Sequence, residues 1–301
     1  MHSVKHYIQH PRDFVLSIMS RTARLWPDKT YLRIVYYLRM GRPLNLKSPK
    51  TYTEKLNWLK VNDIHPEYSR LVDKYTVKEY VREKLGSDEN IIKTLGVWNS
   101  FDEIDFSKLP DKFVLKTNNG GGNTSVVICR DKSTFNTDEA RRKLTIKSGA
   151  QNYLWSREYP YLGVEPCILA EEYIETANNE LSDYKFFCFN GQPKFLFVGT
   201  ERQKEGEDVK FDFFNTRYEH LPIKNGHENA HITPKKPDNF DKMLEIASKL
   251  SQNIPHVRVD LYNVNGKIYF GEFTFFHFAG FVPFEPSEWD KTFGGYLELP
   301  Q

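Results

Sequence analysis

Residues 255–280 read PHVRVDLYNVNGKIYFGEFTFFHFAG, two apolar runs joined by Asn265-Gly266. An Asn-Gly pair between alternating apolar residues is the strongest short-range hairpin signal. Alternation sends Val257, Val259 and Leu261 to one side of the first strand, and Arg258 and Asp260 to the other. On the returning strand Glu272 and Thr274 share a face. A carboxylate inside each of two apolar strands is costly unless its charge is compensated. A divalent cation would do so, since Mg²⁺ takes a few carboxylates and leaves its other positions to phosphates and water. The alternative is structural, with Asp260 paired to Arg258 or to a lysine across the sheet. The metal reading makes a geometric demand. A two-residue turn at Asn265-Gly266 sets Asp260 opposite Gly271 and Glu272 opposite Val259 on the other face. The carboxylates converge only if the connection is longer or a bulge shifts the register.

Upstream, residues 113–130 read FVLKTNNGGGNTSVVICR, with Lys116 ending one strand-like run and Gly120, Gly121 and Gly122 in the loop before the next. Adjacent glycines lose much conformational freedom on ordering, so a loop carrying them usually needs positive φ or close backbone approach. One reading is a flap whose N–H groups and lysine cradle phosphates; the other is a flexible hairpin with a solvated lysine. Between these two segments lies CILAEEYIE at 167–175, an apolar strand leading into Glu171, Glu172, Tyr173 and Ile174. Such an exit offers backbone groups for an adenine edge, Asp183 a carboxylate for ribose hydroxyls, and Lys185 a charge directed out of an apolar strand. In each case a solvated surface group is the plainer alternative.

The N-terminal part has helical periodicity in DFVLSIMSRTARLW, YLRIVYYLRMG and SPKTYTEKLNWLKVND, the last with Thr51 or Thr53 as N-cap. The segment 65–86 reads as one further helix ending at Gly86. From residue 113 the pattern turns to short strands with two Asn-Gly turns, at 190–191 and 265–266, interrupted by helical stretches at 138–149 and 239–255. Mostly antiparallel sheet with interspersed helices means an α+β fold in two lobes.

The charge of the 301 residues is +2, unevenly spread: the first sixty hold 12 Lys and Arg against 3 Asp and Glu. That excess suits either a solvated helical face or an anionic membrane surface. No nucleic-acid-binding motif is present, so no nucleic-acid partner is expected. No apolar run has the length of a membrane span, and the N-terminus lacks a signal-peptide core. Cys129, Cys167 and Cys188 lack metal-ligand spacing and fit buried free thiols in a reducing, cytoplasmic setting.

A strand lysine, a glycine loop, a Glu-rich strand exit, then Arg-x-Asp and a later Glu on adjacent strands resemble the ATP-grasp enzymes. More specifically, SPKTYTEKLNWLK, LVDKYTVKEY, LGVWNSFDEIDFSKLPDKFVLK, LAEEYI, DYKFFCFNGQPKF and VRVDLYNVNGKIYFGEFTF are similar to the TupA-like ATP-grasp family of surface-polysaccharide loci. The resemblance runs from residue 48 to EWD at 288–290. It implies a two-lobed ATP-grasp fold with a helical N-terminal extension: a basic helical region at 1–70, a first lobe with the phosphate flap at 71–174, and a second lobe with the metal-binding hairpin at 175–301.

The resemblance also implies ATP and Mg²⁺ as cofactors. Lys116 would contact the α- and β-phosphates, and Gly120, Gly121 and Gly122 would cover them. Glu171, Glu172, Tyr173 and Ile174 would form the adenine hinge, Asp183 would hold the ribose, and Lys185 would join the nucleotide site. Asp260 and Glu272 would bridge the metal, and Arg258 would stabilise charge on the transferring group. Where the family pattern has Asn two positions after the second acidic ligand this chain has Thr274, whose hydroxyl also suits a hard cation. Asn119 stands where many relatives have histidine.

The activity so implied is ligation of a carboxylate, a uronic acid of a capsule or O-antigen-type polysaccharide, to the amine of an amino acid. Tyr153, Trp155, Tyr159, Tyr161 and Trp289 are candidates for sugar-facing rings, several of them more suited to core. A kinase acting on a sugar hydroxyl would use the same scaffold. A glycosyltransferase or nucleotide-sugar-binding accessory protein is the reading from another class, but no Asp-x-Asp pair supports it. A lipid-linked acceptor would place the protein at the inner face of the membrane, in peripheral contact with anionic lipid.

Overall fold

The computed structural model describes residues 10–121, 125–176, 181–201 and 209–300. The chain begins with helices α1 (Pro11–Arg21) and α2 (Asp28–Met40), the second closed by Gly41 in the left-handed region at φ 69°. Helix α3 (Tyr52–Asn62) opens on Thr51, with Glu54 completing a capping box. The single helix expected over 65–86 is broken. A short turn of helix, α4 (Ser69–Val72), stops at Asp73, whose Oδ1 accepts from the backbone N–H of Tyr75 (2.7 Å) and Thr76 (3.3 Å) before α5 (Val77–Leu85) begins. A side chain that offers the backbone another partner interrupts a helix that periodicity alone would continue.

Two antiparallel sheets follow. The first holds β1 (Thr94–Trp98), β2 (Phe113–Thr117), β3 (Val126–Cys129) and β4 (Ile168–Glu172) in the order β1-β4-β2-β3. Helices α6 (Thr137–Lys143) and α7 (Gly149–Ser156) lie between β3 and β4 in sequence. Its core gathers Phe101, Phe113, Leu115, Ala140, Leu144 and Ile168.

The second sheet has the order β11-β10-β5-β6-β7-β8. Its strands are β5 (Asp183–Phe189), β6 (Gln192–Thr200), β7 (Lys210–Asn215), β8 (His220–Leu221), β10 (His256–Val264) and β11 (Lys267–Thr274). A small pair joins β9 (Lys224–Asn225) to β12 (Phe284–Glu285); helix α8 (Phe240–Leu250) precedes β10, and α9 (Glu288–Tyr296) closes the fold.

The run DYKFFCF is apolar on both sides because both faces of β5 are covered. Phe186 packs against Phe240 of α8 (ring centroids 6.0 Å apart), while Phe187 meets Tyr52 of α3 and Phe293 of α9 (6.1 and 5.1 Å). The same core takes in Leu71, Val72, Val77 and Val81, so the segment expected to begin the first lobe at residue 71 packs with the second. The three cysteines are free and buried. Among the described residues no helix is long and apolar enough to cross a membrane.

The β10–β11 hairpin resolves the register demand. Its turn is the two-residue one, Val264 pairing with Lys267 and both Asn265 (φ 51°) and Gly266 (φ 80°) left-handed. Leu261 still pairs with Phe270, but Asp260 pairs with Glu272, because Gly271 is the extra residue of a bulge. The two carboxylates therefore share one face. A Cβ on Gly271 would lie 3.1 Å from the Asp260 carbonyl oxygen and 3.2 Å from the Tyr262 ring. Gly271→Val is expected to cost about 1–3 kcal/mol through overpacking, measured by urea denaturation; a change within experimental error would mean that the bulge tolerates a side chain.

Candidate active site

The two sheets face each other across a cleft of about 810 Å³. On the second sheet its wall is the bulged hairpin. Asp260, only 1% exposed, receives Arg258 in a fork: Nε to Oδ1 at 2.7 Å and NH2 to Oδ2 at 2.8 Å. Lys185, its partner in register on β5, also pairs with Oδ2 and lies 2.7 Å from Asp183. Burial pushes the Asp260 carboxyl up, and the adjoining Arg258 and Lys185 cations oppose it. Glu272 is more open, with Lys74 Nζ at 3.1 Å and Arg258 NH2 at 3.9 Å. Burial raises its pKa, but Lys74, Lys185 and Arg258 outweigh this and bring it to about 2.

The opposite wall belongs to the first sheet. Glu171, 3% exposed, is held between Lys116 and Lys78, each 2.6 Å from one of its oxygens. Lys78 also donates to Thr94 Oγ1 (2.6 Å) and the Ile92 carbonyl (2.7 Å). Burial pushes Glu171 up and the two lysines overcome it, so its pKa is lowered; burial likewise lowers Lys78 against the pull of Glu171.

The base of the glycine loop is anchored. Asn118 is fully buried, its amide donating to Asp73 (2.9 Å) and the Glu165 carbonyl (2.8 Å) while its side-chain oxygen accepts from Cys167 N–H (2.9 Å). Asn119 donates to the Lys147 carbonyl at 2.7 Å. A Cβ on Gly120 would meet Thr117 and Ser125 at 2.3 Å, and its carbonyl accepts from Lys74 at 2.6 Å. Gly121 has open space around it, and Gly122 lies outside the described residues.

Lys116, Gly120, Glu171, Glu172, Tyr173, Ile174, Asp183, Lys185 and Glu272 all line this one cleft. Three of these expected site residues are engaged by neighbours within the protein. The Glu171 side chain points to the two lysines, so within the expected adenine hinge it orients cations. Asp183 is buried and lies 2.7 Å from Lys185, so its carboxylate steadies that lysine at the cleft wall. Thr274 lies opposite Arg258 in register, and its hydroxyl accepts from Arg258 NH2 at 2.8 Å, so it supports the guanidinium. Of the aromatics, Trp155 is exposed, Tyr159 is buried, and Tyr161 and Trp289 pack on the large core.

Lys74 and Lys78 were missed. Both stand in LVDKYTVKEY, where their spacing of four is the available signal and a helical period running on to Gly86 obscures it.

A lysine and glycine loop on one sheet, closing on a carboxylate hairpin of a second, define an ATP-grasp enzyme. The chain belongs to the TupA-like ATP-grasp family, whose model matches residues 54–298. No curated protein matches it. Among solved structures it is similar to D-alanine–D-alanine ligase from Bacillus anthracis (15% identity, TM-score 0.38, over 68% of this chain and 56% of that one). It is also similar to an N5-carboxyaminoimidazole ribonucleotide synthetase in its ADP complex (16%, TM-score 0.43, 81% and 56%). A third is L-amino acid ligase from Bacillus licheniformis (13%, TM-score 0.42, 83% and 55%). The chain spans little more than half the length of each.

The lowered Glu272 pKa carries a pH signature. A carboxylate whose folded pKa lies below its unfolded value adds stability above the unfolded pKa and loses it as pH falls through the folded one. The stability advantage of wild type over Glu272→Gln is therefore expected to be largest above pH 4.5 and to vanish below about pH 2. Denaturation midpoints across that range check it; a difference independent of pH would contradict the ion pairing.

Proposed function

We propose that this protein is an ATP-dependent carboxylate–amine ligase. The observation that supports it most is the pairing of the buried Asp260 with Glu272 across the bulge, Glu272 lining the same cleft as Lys116. In this reading a substrate carboxylate oxygen attacks the γ-phosphorus, and the bond from that phosphorus to the bridging oxygen breaks to release ADP. The amine then attacks the acyl carbon of the acyl phosphate, inorganic phosphate leaves, and the amine proton passes to solvent. Activation is needed because a carboxylate is a poor electrophile, and enclosure because an acyl phosphate hydrolyses.

The donor set fits Mg²⁺: Asp260 and Glu272 are hard oxygen ligands on one face. Among the described residues no group of three or more His, Cys, Asp or Glu side chains is gathered for a metal, so phosphate and water would complete the coordination. Bound there, the ion would neutralise phosphate charge. Lys116, Lys74 and Lys185 hold carboxylates that a phosphate oxygen can replace as partner. Gly120 and Gly121 would let the backbone approach the phosphates, and Tyr173 and Ile174 would flank the adenine. Arg258 would stabilise charge on the transferring group.

The acid is proposed to be a uronic acid of a capsule or O-antigen-type glycan and the amine an amino acid, which rests on the family resemblance. A lipid-linked acceptor would put the protein in the cytoplasm, peripheral to the membrane. Arg21, Arg24, Arg33 and Arg39 are all exposed in the N-terminal helical region, near the exposed Ile18 (43%) and Leu25 (79%).

Four measurements test this reading. Asp260→Asn and Glu272→Gln are each expected to abolish Mg²⁺-dependent ADP release, with the fold retained by circular dichroism; full activity in either removes the metal site. Lys116→Ala is expected to weaken ATP binding about ten- to a hundredfold, the scale of one charge-assisted contact. With a uronic acid and amino-acid mixture the product should be ADP and an amide, whereas a phosphorylated sugar without amide would make the protein a kinase. For the membrane contact, each engaged cation contributes on the order of 1 kcal/mol and is screened by salt. Sedimentation with anionic vesicles should therefore fall when Arg21, Arg24, Arg33 and Arg39 become glutamine, and equal pelleting would reduce the segment to a solvated face.

A further inference from the structure

The chain leaves β11 through a turn of unusual backbone. Phe278, Ala279 and Gly280 follow one another at φ 47°, 51° and 65°, left-handed positions of which two carry side chains. Such a turn persists only where its surroundings over-determine it. Helix α3 supplies that grip: Asn57 donates to the Gly280 carbonyl (3.1 Å), and the buried Lys60 donates to the Ala279 carbonyl and to the Ser156 carbonyl (both 2.7 Å). A Cβ on Gly280 would lie 2.7 Å from the Asn57 amide nitrogen.

The residue this turn fixes is His277. It is 3% exposed and stands edge-on to Phe187, ring centroids 5.0 Å apart. Its Nδ1 lies 2.7 Å from Arg258 NH1, and its Nε2 lies 2.8 Å from Asn225 Oδ1. A guanidinium only donates, so Nδ1 accepts and the ring is the neutral Nε2–H tautomer, donating to Asn225. Asn225 is oriented in turn by its amide, which donates to the Val282 and Pro283 carbonyls at 3.2 and 2.9 Å. Every link in this chain works in one direction.

Arg258 gives Nε and NH2 to Asp260, a second NH2 hydrogen to Thr274, and one NH1 hydrogen to His277. Among the described residues that accounts for four of the five N–H groups of a guanidinium. We propose that His277 is a positioning residue: it holds NH1 of Arg258 so that the remaining N–H is presented to the group in transfer. This rests on the role given to Arg258 above. A neutral acceptor is suited to the task because it orients the guanidinium without cancelling charge needed by the developing oxyanion. Burial, followed by the nearby Arg258 charge, keeps the imidazole pKa well below its ordinary value.

The test uses His277→Phe, which keeps a flat ring against Phe187 and removes the acceptor, and His277→Asn, which keeps an acceptor oxygen near the Nδ1 position. ADP release from MgATP is measured with D-glucuronate and mixed L-amino acids, with thermal midpoints alongside. His277→Phe is expected to lower kcat about ten- to a hundredfold, with the ATP KM changed by less than about threefold, and His277→Asn to recover most of the loss. Unchanged kcat in His277→Phe, or an equal loss in a folded His277→Asn, overturns the proposal. Arg258→Gln separates the two ideas: full activity there sinks the role of Arg258 itself, whereas loss there beside a fully active His277→Phe sinks only the positioning.

A second readout needs no turnover. Nitrogen-15 NMR of the side chains should find two buried histidines in opposite tautomers. His256 should carry its proton on Nδ1, since that atom faces the Cys188 carbonyl (2.9 Å) and Nε2 faces the Tyr52 hydroxyl (2.8 Å). His277 should carry it on Nε2, with a signal absent from His277→Phe. An Nδ1–H tautomer at His277 overturns the proposal even if none of these substrates is used.

Discussion

The structure turns on one buried carboxylate. Asp260 lies in the interior of the second sheet with Arg258 forked onto it and Lys185 beside it, in a lobe whose core is rich in phenylalanine. An isolated charge there would be prohibitively costly, and removing one partner of such a pair leaves an uncompensated ion. The pairing therefore constrains its neighbours. Lys185 must sit on β5 directly across from Asp260, Arg258 must share its face two residues earlier, and Glu272 must come level through the Gly271 bulge. The apolar sheet is what makes these interactions strong, since field effects grow as water is excluded.

The first sheet repeats the solution with the same signs: Glu171 is the buried carboxylate and Lys116 and Lys78 the cations. Two such walls need a link, and the broken helical segment 69–85 supplies it. Asp73 caps the turn and binds Asn118 at the foot of the glycine loop; Lys74 reaches both the Gly120 carbonyl and Glu272; Lys78 reaches Glu171. Its apolar residues meanwhile pack in the second-lobe core. A short stretch of backbone thus touches the foot of the glycine loop, the bulged hairpin and the Glu171 lysine pair together.

Much of this was legible from residue order. The two Asn-Gly turns, the Thr51 capping box and the Gly41 and Gly86 stops each rest on local chemistry that a sequence carries openly. The hairpin even revealed its own difficulty, because period-two alternation and a two-residue turn could not both stand if the carboxylates were to meet. A glycine inside a strand is the usual sign of a bulge, and Gly271 was there to be read. What stayed hidden depended on tertiary partners. Strand β1 contains Gly96, over which Trp98 folds its indole, and looks unlike a strand until β4 pairs with it. Asp183 and Thr274 seemed free to meet ligands because nothing local says that Lys185 and Arg258 claim them. Lys74 and Lys78 look like solvated helix charges until the opposite sheet is in place.

The cations in and behind the cleft wall divide by chemistry into two kinds. Lysine is a point charge on a flexible stem, and Lys74, Lys116 and Lys185 are each held by a carboxylate, a partner of the kind that another anion could replace. Those residues suit binding, where partners are exchanged as ligand arrives. Arginine has a rigid fork, and Arg258 is fixed on three sides by Asp260, Thr274 and His277. A group so constrained has little left to reorganise when charge develops beside it, which is the condition under which electrostatic stabilisation lowers a barrier rather than merely tightening a complex. The strained turn at 278–280 and its grip by α3 then share a consequence: through His277 they hold the Arg258 guanidinium steady, as its proposed role requires.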